Sequence, residues 1–143
     1  MFDEISQSIR LITDCLSRSS FSDEKGSLDE KEAEKRIDQM ISNVKENGRK
    51  LLFVGNGGSA AIASHMAQDF SKMADIRALA FNDGSLLTCL ANDCAFEKVF
   101  EKAVEMYADR GDVLIAISSS GKSQNILNAA IYARRMGCGV ITL

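Results

Sequence analysis

Proline and tryptophan are absent from this 143-residue chain, and histidine occurs once, at position 65. Any imidazole chemistry, as proton carrier or metal ligand, therefore rests on His65. No apolar run is long enough to span a bilayer, and the opening Met1 to Arg10 is acidic, polar and amphipathic rather than a signal peptide. No basic block is present: 17 Lys and Arg stand against 20 Asp and Glu, a net charge of −3, so neither nucleic acid nor a membrane is expected as a partner. The four cysteines, Cys15, Cys89, Cys94 and Cys138, form no CxxC pair; buried free thiols in a reducing, cytoplasmic compartment are expected. What is there is an ordinary soluble balance, 45% hydrophobic and 26% charged, in a length that suits one domain with a real core.

The organising stretch runs from Asp112 to Ile126 (DVLIAISSSGKSQNI). Its unbroken apolar run without alternation is the pattern of a parallel strand covered on both faces. Hydroxyls and a glycine follow, and then a helical pattern. The first N–H groups of a helix are unpaired and carry partial positive charge, so an anion is favoured there. Ser118, Ser119, Ser120 and Ser123 add donors, Gly121 permits close backbone approach and Lys122 supplies a counter-charge. One serine would suffice to cap a helix; four favour a phosphate.

Along the chain, Phe2, Ile5, Ile9, Ile12 and Leu16 make one apolar stripe on a first helix, to be buried on its own domain or on another subunit, and the narrow heptad-like seam favours the latter. Ser17 to Leu28 is polar and linker-like, with Gly26 as its soft point. Asp29 is placed to cap a second helix running to Asn47, with Ile37, Met40, Ile41 and Val44 on its buried face and Gly48 as its stop. Strands are then expected at 50–54, 77–81, 112–117 and 139–143, with helices over 60–73, 85–91, from Phe96 to Tyr107, and after Ser123. Strands alternating with helices give a parallel α/β sheet with right-handed crossovers. Residues 1–48 read as N-terminal helices and 49–143 as the α/β domain, which stops inside its last strand and is expected to be truncated there.

Two strand-to-helix turns, Gly55 to Ser59 and Ser118 to Ser123, lie at the carboxyl ends of strands, where open parallel sheets bind ligands. Ala116 through Gly121-Lys122-Ser123 satisfies a relaxed P-loop pattern, but Ala116 is inside the apolar run, leaving too little loop to wrap a triphosphate. Gly55-Asn56-Gly57-Gly58-Ser59-Ala60 fits the GxGxxA dinucleotide pattern, although its acidic partner, Asp83, arrives late.

Taken together, the two turns resemble the sugar isomerase (SIS) domain family, and within it the phosphoheptose isomerases. The matching words are VGNGGSA at 54–60, HMAQD at 65–69, AND at 91–93, GDVL at 111–114 and ISSSGKS at 117–123, covering roughly Asn47 to Leu143. The resemblance implies a three-layer, flavodoxin-like parallel sheet with an N-terminal helical extension. It also implies a homotetramer with sites between subunits, and conversion of sedoheptulose 7-phosphate to a heptose 7-phosphate for cell-envelope polysaccharide.

On that resemblance Ser118, Ser119, Ser120 and Ser123 hold the sugar phosphate, while Asn56, Gly57, Ser59, Asn92 and Asp93 line the sugar. Asn56 and the glycines also have a plainer role, that of making the turn. The family's catalytic glutamate falls on Asp69, four residues after His65, so the two share a helix face where they could pass a proton or hold a divalent metal such as zinc. A surface ion pair is the alternative account of that spacing. The chain departs from the family at Asp69, one methylene short, at Gln68 and at Lys122, and a C-terminal catalytic histidine has no counterpart among the 143 residues. A non-catalytic phosphosugar-binding or protein-contact module, of which the DnaA initiator-associating protein is a family example, therefore stands beside the isomerase.

Overall fold

The computed structural model describes residues 2–143, and for 2–4 and 16 the backbone alone. It divides into two compact units, Met1–Asp38 and Gln39–Leu143. In the first unit α1 (Phe2–Ser17) is helical as its periodicity predicts. Ile5, Ile9 and Ile12 of the apolar stripe are each more than half exposed; Phe2 and Leu16 lie outside the described side chains. The expected linker is instead a small antiparallel hairpin, β1 (Phe21–Asp23) with β2 (Gly26–Leu28), which sets Phe21 opposite Leu28. Asp23 closes it. Its Oδ1 accepts the N–H groups of Lys25 at 2.7 Å and Gly26 at 3.1 Å, a side chain doing the work of a turn. Those bonds and the Arg36 guanidinium hold the Asp23 carboxyl below its ordinary pKa.

The helix α2 (Glu30–Glu46) begins where the capping residue predicts, with Asp29 Oδ1 accepting the Glu32 N–H at 2.8 Å. It ends at Gly48, whose φ of 59° only glycine adopts freely. Its second half goes with the sheet, because Val44 is buried there and Met40 and Ile41 pack beside it.

In the second unit the order is β3 (Leu51–Gly55), α3 (Gly58–Met73), β4 (Ala78–Ala80), α4 (Gly84–Asp93), a 3-10 turn at Phe96–Lys98, α5 (Val99–Tyr107), β5 (Val113–Ile117), α6 (Gln124–Arg135) and β6 (Gly139–Thr142). All four strands are parallel, in the order β4-β3-β5-β6. Both long strands are buried at every position, which is why they read as unbroken apolar runs. Their side chains alternate between two cores. Leu51, Phe53, Val113, Ile115 and Ile117 pack with Val44, Ala63 and Ala67 of α2 and α3; Leu52, Val54, Leu114 and Ala116 pack with residues of α5 and α6 such as Phe100, Val104, Ile126 and Ala129. The result is the expected three-layer α/β sheet.

Two further expectations are corrected. The helix expected from Phe96 to Tyr107 begins as a 3-10 turn before α5. Of the four free cysteines only Cys138 is buried, while Cys15, Cys89 and Cys94 are exposed; apolar neighbours in sequence do not bury a thiol whose own position faces out of its helix. Among the described residues no helix is long and apolar enough to cross a membrane.

The amino ends of β3 and β5 are joined by a buried charge. Asp112 is fully buried and accepts the backbone N–H groups of Lys50 at 3.0 Å and Asp109 at 2.7 Å. The Lys50 ammonium lies 2.6 Å from both Asp112 and Asp109. Burial works against that ammonium, but the hydrogen bonds and charges of the two carboxylates outweigh it and raise its pKa.

Candidate functional site

Strand order creates a crevice. From β3 the chain crosses through α3 to β4 on one side, while from β5 it crosses through α6 to β6 on the other. The loops leaving β3 and β5 therefore diverge over opposite faces of the sheet at the carboxyl ends of two adjacent strands, the switch point at which such sheets bind ligands.

The loop after β3 is built for closeness. A Cβ on Gly55 would stand 2.6 Å from the backbone carbon and oxygen of Ser59, so only glycine lets α3 fold back this tightly onto the strand. Gly57, at φ 54°, then turns the chain into the helix without a side-chain cap. Asn56 C=O accepts the Ser59 N–H at 3.0 Å. That leaves Ser59 half-buried, with its hydroxyl unbonded among the described residues.

The loop after β5 collects donors. Gly121 N–H bonds back to Ser118 C=O at 3.0 Å, and Gly121 sits at φ 62°. The Lys122 N–H is taken by Ser120 Oγ at 3.2 Å, and Ser118 Oγ lies 3.4 Å from Ser123 Oγ. Ser123 occupies the N-cap of α6 but its side chain caps no N–H. Among the described residues the backbone N–H groups of Ser119, Ser120, Ser123, Gln124 and Asn125 have no protein partner. Ser119, Ser120 and Lys122 are exposed. Unpaired amides at a helix N-terminus beside serine hydroxyls are a geometry that can take an anion.

The structure ties the two loops together through a residue the sequence reading passed over. Asn56 Nδ2 donates to Asn125 Oδ1 at 3.0 Å, and Asn125 Nδ2 donates back to Asn56 Oδ1 at 3.0 Å. Asn125 is only 3% exposed. Its one signal in the sequence is its phase: Asn125, Ala129 and Ala133 recur every four residues on the buried face of α6, a polar group where the pattern calls for an apolar one.

The other expected residues lie on α3 and α4. His65 and Asp69 do share a face of α3, with Nε2 and Oδ2 3.4 Å apart, but their side chains are 74% and 42% exposed. They form an i,i+4 surface pair. Among the described residues no group of three or more His, Cys, Asp or Glu could hold a metal ion. Asn92 and Asp93 end α4, exposed, with Asn92 Nδ2 on Asp93 Oδ1 at 2.9 Å and Cys89 Sγ 3.6 Å from Asp93 Oδ2. The Asp93 carboxylate raises the pKa of the Cys89 thiol. No hydrogen bond joins either pair to the serine loop among the described residues. Two open clefts, of about 400 and 620 Å³, lie at the amino ends of the strands, around Arg77 and Arg110. Volume alone does not place a site; the unpaired donors are at the opposite end.

Solved structures share the fold. The phosphoheptose isomerase of Neisseria gonorrhoeae superposes with a TM-score of 0.72 at 38% identity, over 76% of this chain and 59% of that one. That of Francisella tularensis gives 0.71 at 30% identity, over 76% and 60%. By sequence, phosphoheptose isomerases of Helicobacter hepaticus and Fusobacterium nucleatum are 44% identical over 77% of this chain and 35% identical over 80%. The chain spans about 60% of the length of these relatives, 59% and 62% respectively. The profile of the SIS domain matches residues 24–143, from the hairpin turn through the end of the sheet, and the chain belongs to the SIS domain family.

Proposed function

We propose that this chain binds a phosphosugar across the crevice between β3 and β5 and carries out aldose–ketose isomerisation, with sedoheptulose 7-phosphate as substrate. The observation that supports it most is the pair of loops at the switch point, one offering unpaired amides and hydroxyls for a phosphate and the other, around Asn56 and Ser59, close enough to be tied to it. The names borne by relatives at 35–44% identity agree with that reading.

In the reaction a base removes a proton from C1 of the ketose, the electrons form an enediol, and a proton returns to C2 while the carbonyl moves to C1. Nothing is oxidised overall. Asp69 is the proposed base and His65, 3.4 Å away, the group that exchanges protons with it; such acid–base assistance contributes roughly 10²–10⁴-fold. Their exposure suits a site completed by a second copy of the chain, and a homotetramer is proposed on the same ground as the uncovered Ile5, Ile9 and Ile12 stripe. A cytoplasmic role in supplying heptose for envelope polysaccharide follows from the same reading.

The exposed pair also favours a second reading, a phosphosugar-binding module without catalysis. Turnover of sedoheptulose 7-phosphate separates the two. The isomerase reading expects turnover by the wild type, its abolition by Asp69→Asn, and phosphosugar affinity held within a few fold. Wild-type binding without turnover, or full activity in Asp69→Asn, leaves the binding module.

A further inference from the structure

The amide pair at the switch point does more than fasten two loops. Asn125 and Asp112 are the buried polar side chains of the described core, and Asp112 is accounted for by its ion pair at the far end of the strands. Asn125 Oδ1 accepts twice, from Asn56 Nδ2 and from the Ile126 N–H, both at 3.0 Å. Its Nδ2 gives one hydrogen to Asn56 Oδ1. Flipping both amides together would preserve the reciprocal pair, but it would turn Asn125 Nδ2 toward the Ile126 N–H, so that N–H fixes the orientation of Asn125 and, through the pair, that of Asn56. The orientation of Asn56 on the glycine loop is therefore dictated by a residue 69 positions away, in the first turn of α6. The backbone C=O of Asn56 accepts the Ser59 N–H, so the residue whose side chain pairs with α6 also opens the first turn of α3.

We infer that Asn125 is a positioning residue: through Asn56 it sets the glycine loop relative to the serine loop, so that a phosphate on Ser118–Ser123 and sugar hydroxyls along Asn56–Ser59 are held in one register. The inference rests on the phosphosugar reading above. The Asn125 side chain is 3% exposed and its carbonyl oxygen already accepts twice, so its role runs through Asn56 and not through a side-chain contact with substrate. Inorganic phosphate needs the serine loop alone, whereas a sugar phosphate needs both loops. The role is therefore visible as a split between the two ligands.

The test measures binding of inorganic phosphate and of sedoheptulose 7-phosphate to the wild type, Asn125→Ala, Asn56→Ala and the double variant, with kcat alongside. Asn125→Ala is expected to leave phosphate affinity within about threefold and to weaken the sugar phosphate roughly tenfold. It is expected to lower kcat on the order of a hundredfold, the effect of a misplacement near 1 Å. The double variant should bind the sugar phosphate as Asn56→Ala does, because Asn125 acts through Asn56. If the alanine variant does not fold, Asn125→Ser keeps a hydroxyl in the first helical turn, is too short to reach Asn56, and should show the same split. Equal losses for both ligands, or additive losses in the double variant, overturn the positioning role alone. A wild type that binds the sugar phosphate no more tightly than phosphate overturns the phosphosugar reading and this role with it.

Discussion

Replacing Gly55 with alanine puts a methyl carbon 2.6 Å from the carbonyl carbon and oxygen of Ser59 and 2.9 Å from its Cβ. The strand backbone at Gly55 does not require glycine, since its φ is not among the positive ones; space alone does. Ordinary contact needs roughly 1 Å more, and the groups in the way are backbone at the start of α3, which cannot rotate aside as a side chain could. The helix must therefore move off the end of β3. Overpacking of this kind costs about 1–3 kcal/mol. With a urea slope of about 2 kcal/mol/M, a loss of about 2 kcal/mol lowers the unfolding midpoint by about 1 M. Gly57→Ala is the control: open space surrounds that position, and its φ of 54° makes the penalty conformational, about 1–2 kcal/mol, without pushing α3. The two variants should separate in function. Gly55→Ala displaces the glycine loop and weakens sugar-phosphate binding while inorganic phosphate binding persists on the serine loop. A Gly55→Ala protein with the wild-type urea midpoint and unchanged sugar-phosphate affinity refutes the close-approach argument.

The double variant Ser119→Ala, Ser120→Ala should weaken phosphate binding at least tenfold with the urea midpoint unchanged, because both residues are exposed; unchanged affinity in a phosphate titration moves the anion elsewhere. Lys50→Met strands the fully buried Asp112 with only its two backbone N–H donors, and chemical denaturation should register a loss of about 3–5 kcal/mol. The same cluster sets a pH window. Lys50 has a raised pKa in the fold, so its contribution is complete below the unfolded lysine value and is lost as pH rises through the raised one. Asp109, its pKa lowered by the Lys50 hydrogen bond and charge, contributes above the unfolded carboxylate value and loses that contribution as pH falls through the lowered one. Denaturation midpoints measured from acid to alkali should show a plateau between those limits, and Lys50→Met should lose the alkaline limb.

Local signals carried most of the fold. The strands β3 and β5 were legible because burial on both faces writes itself into consecutive residues, with no need of a partner's identity. The start of α2 at Asp29 and its end at Gly48 were legible for the same reason, since a cap acts within three residues of itself. The serine loop, too, was legible as a strand-to-helix turn by its place between a buried strand and a helix.

What tertiary structure alone decided involves partners far apart in sequence or geometry within a short turn. The hairpin at 21–28 depends on one Asp23 oxygen reaching two backbone N–H groups, a feature that polar composition does not distinguish from a linker. Cysteine burial was not legible from apolar sequence neighbours, and three of the four thiols are exposed. Spacing put His65 and Asp69 on one helical face, but only the packed chain could show that this face is turned to solvent while Ala63 and Ala67 face the sheet. Asn56 was readable as a turn residue or a sugar contact. That it is locked to Asn125 follows from β3 and β5 being neighbours, a choice made by strand order and by no residue in either loop.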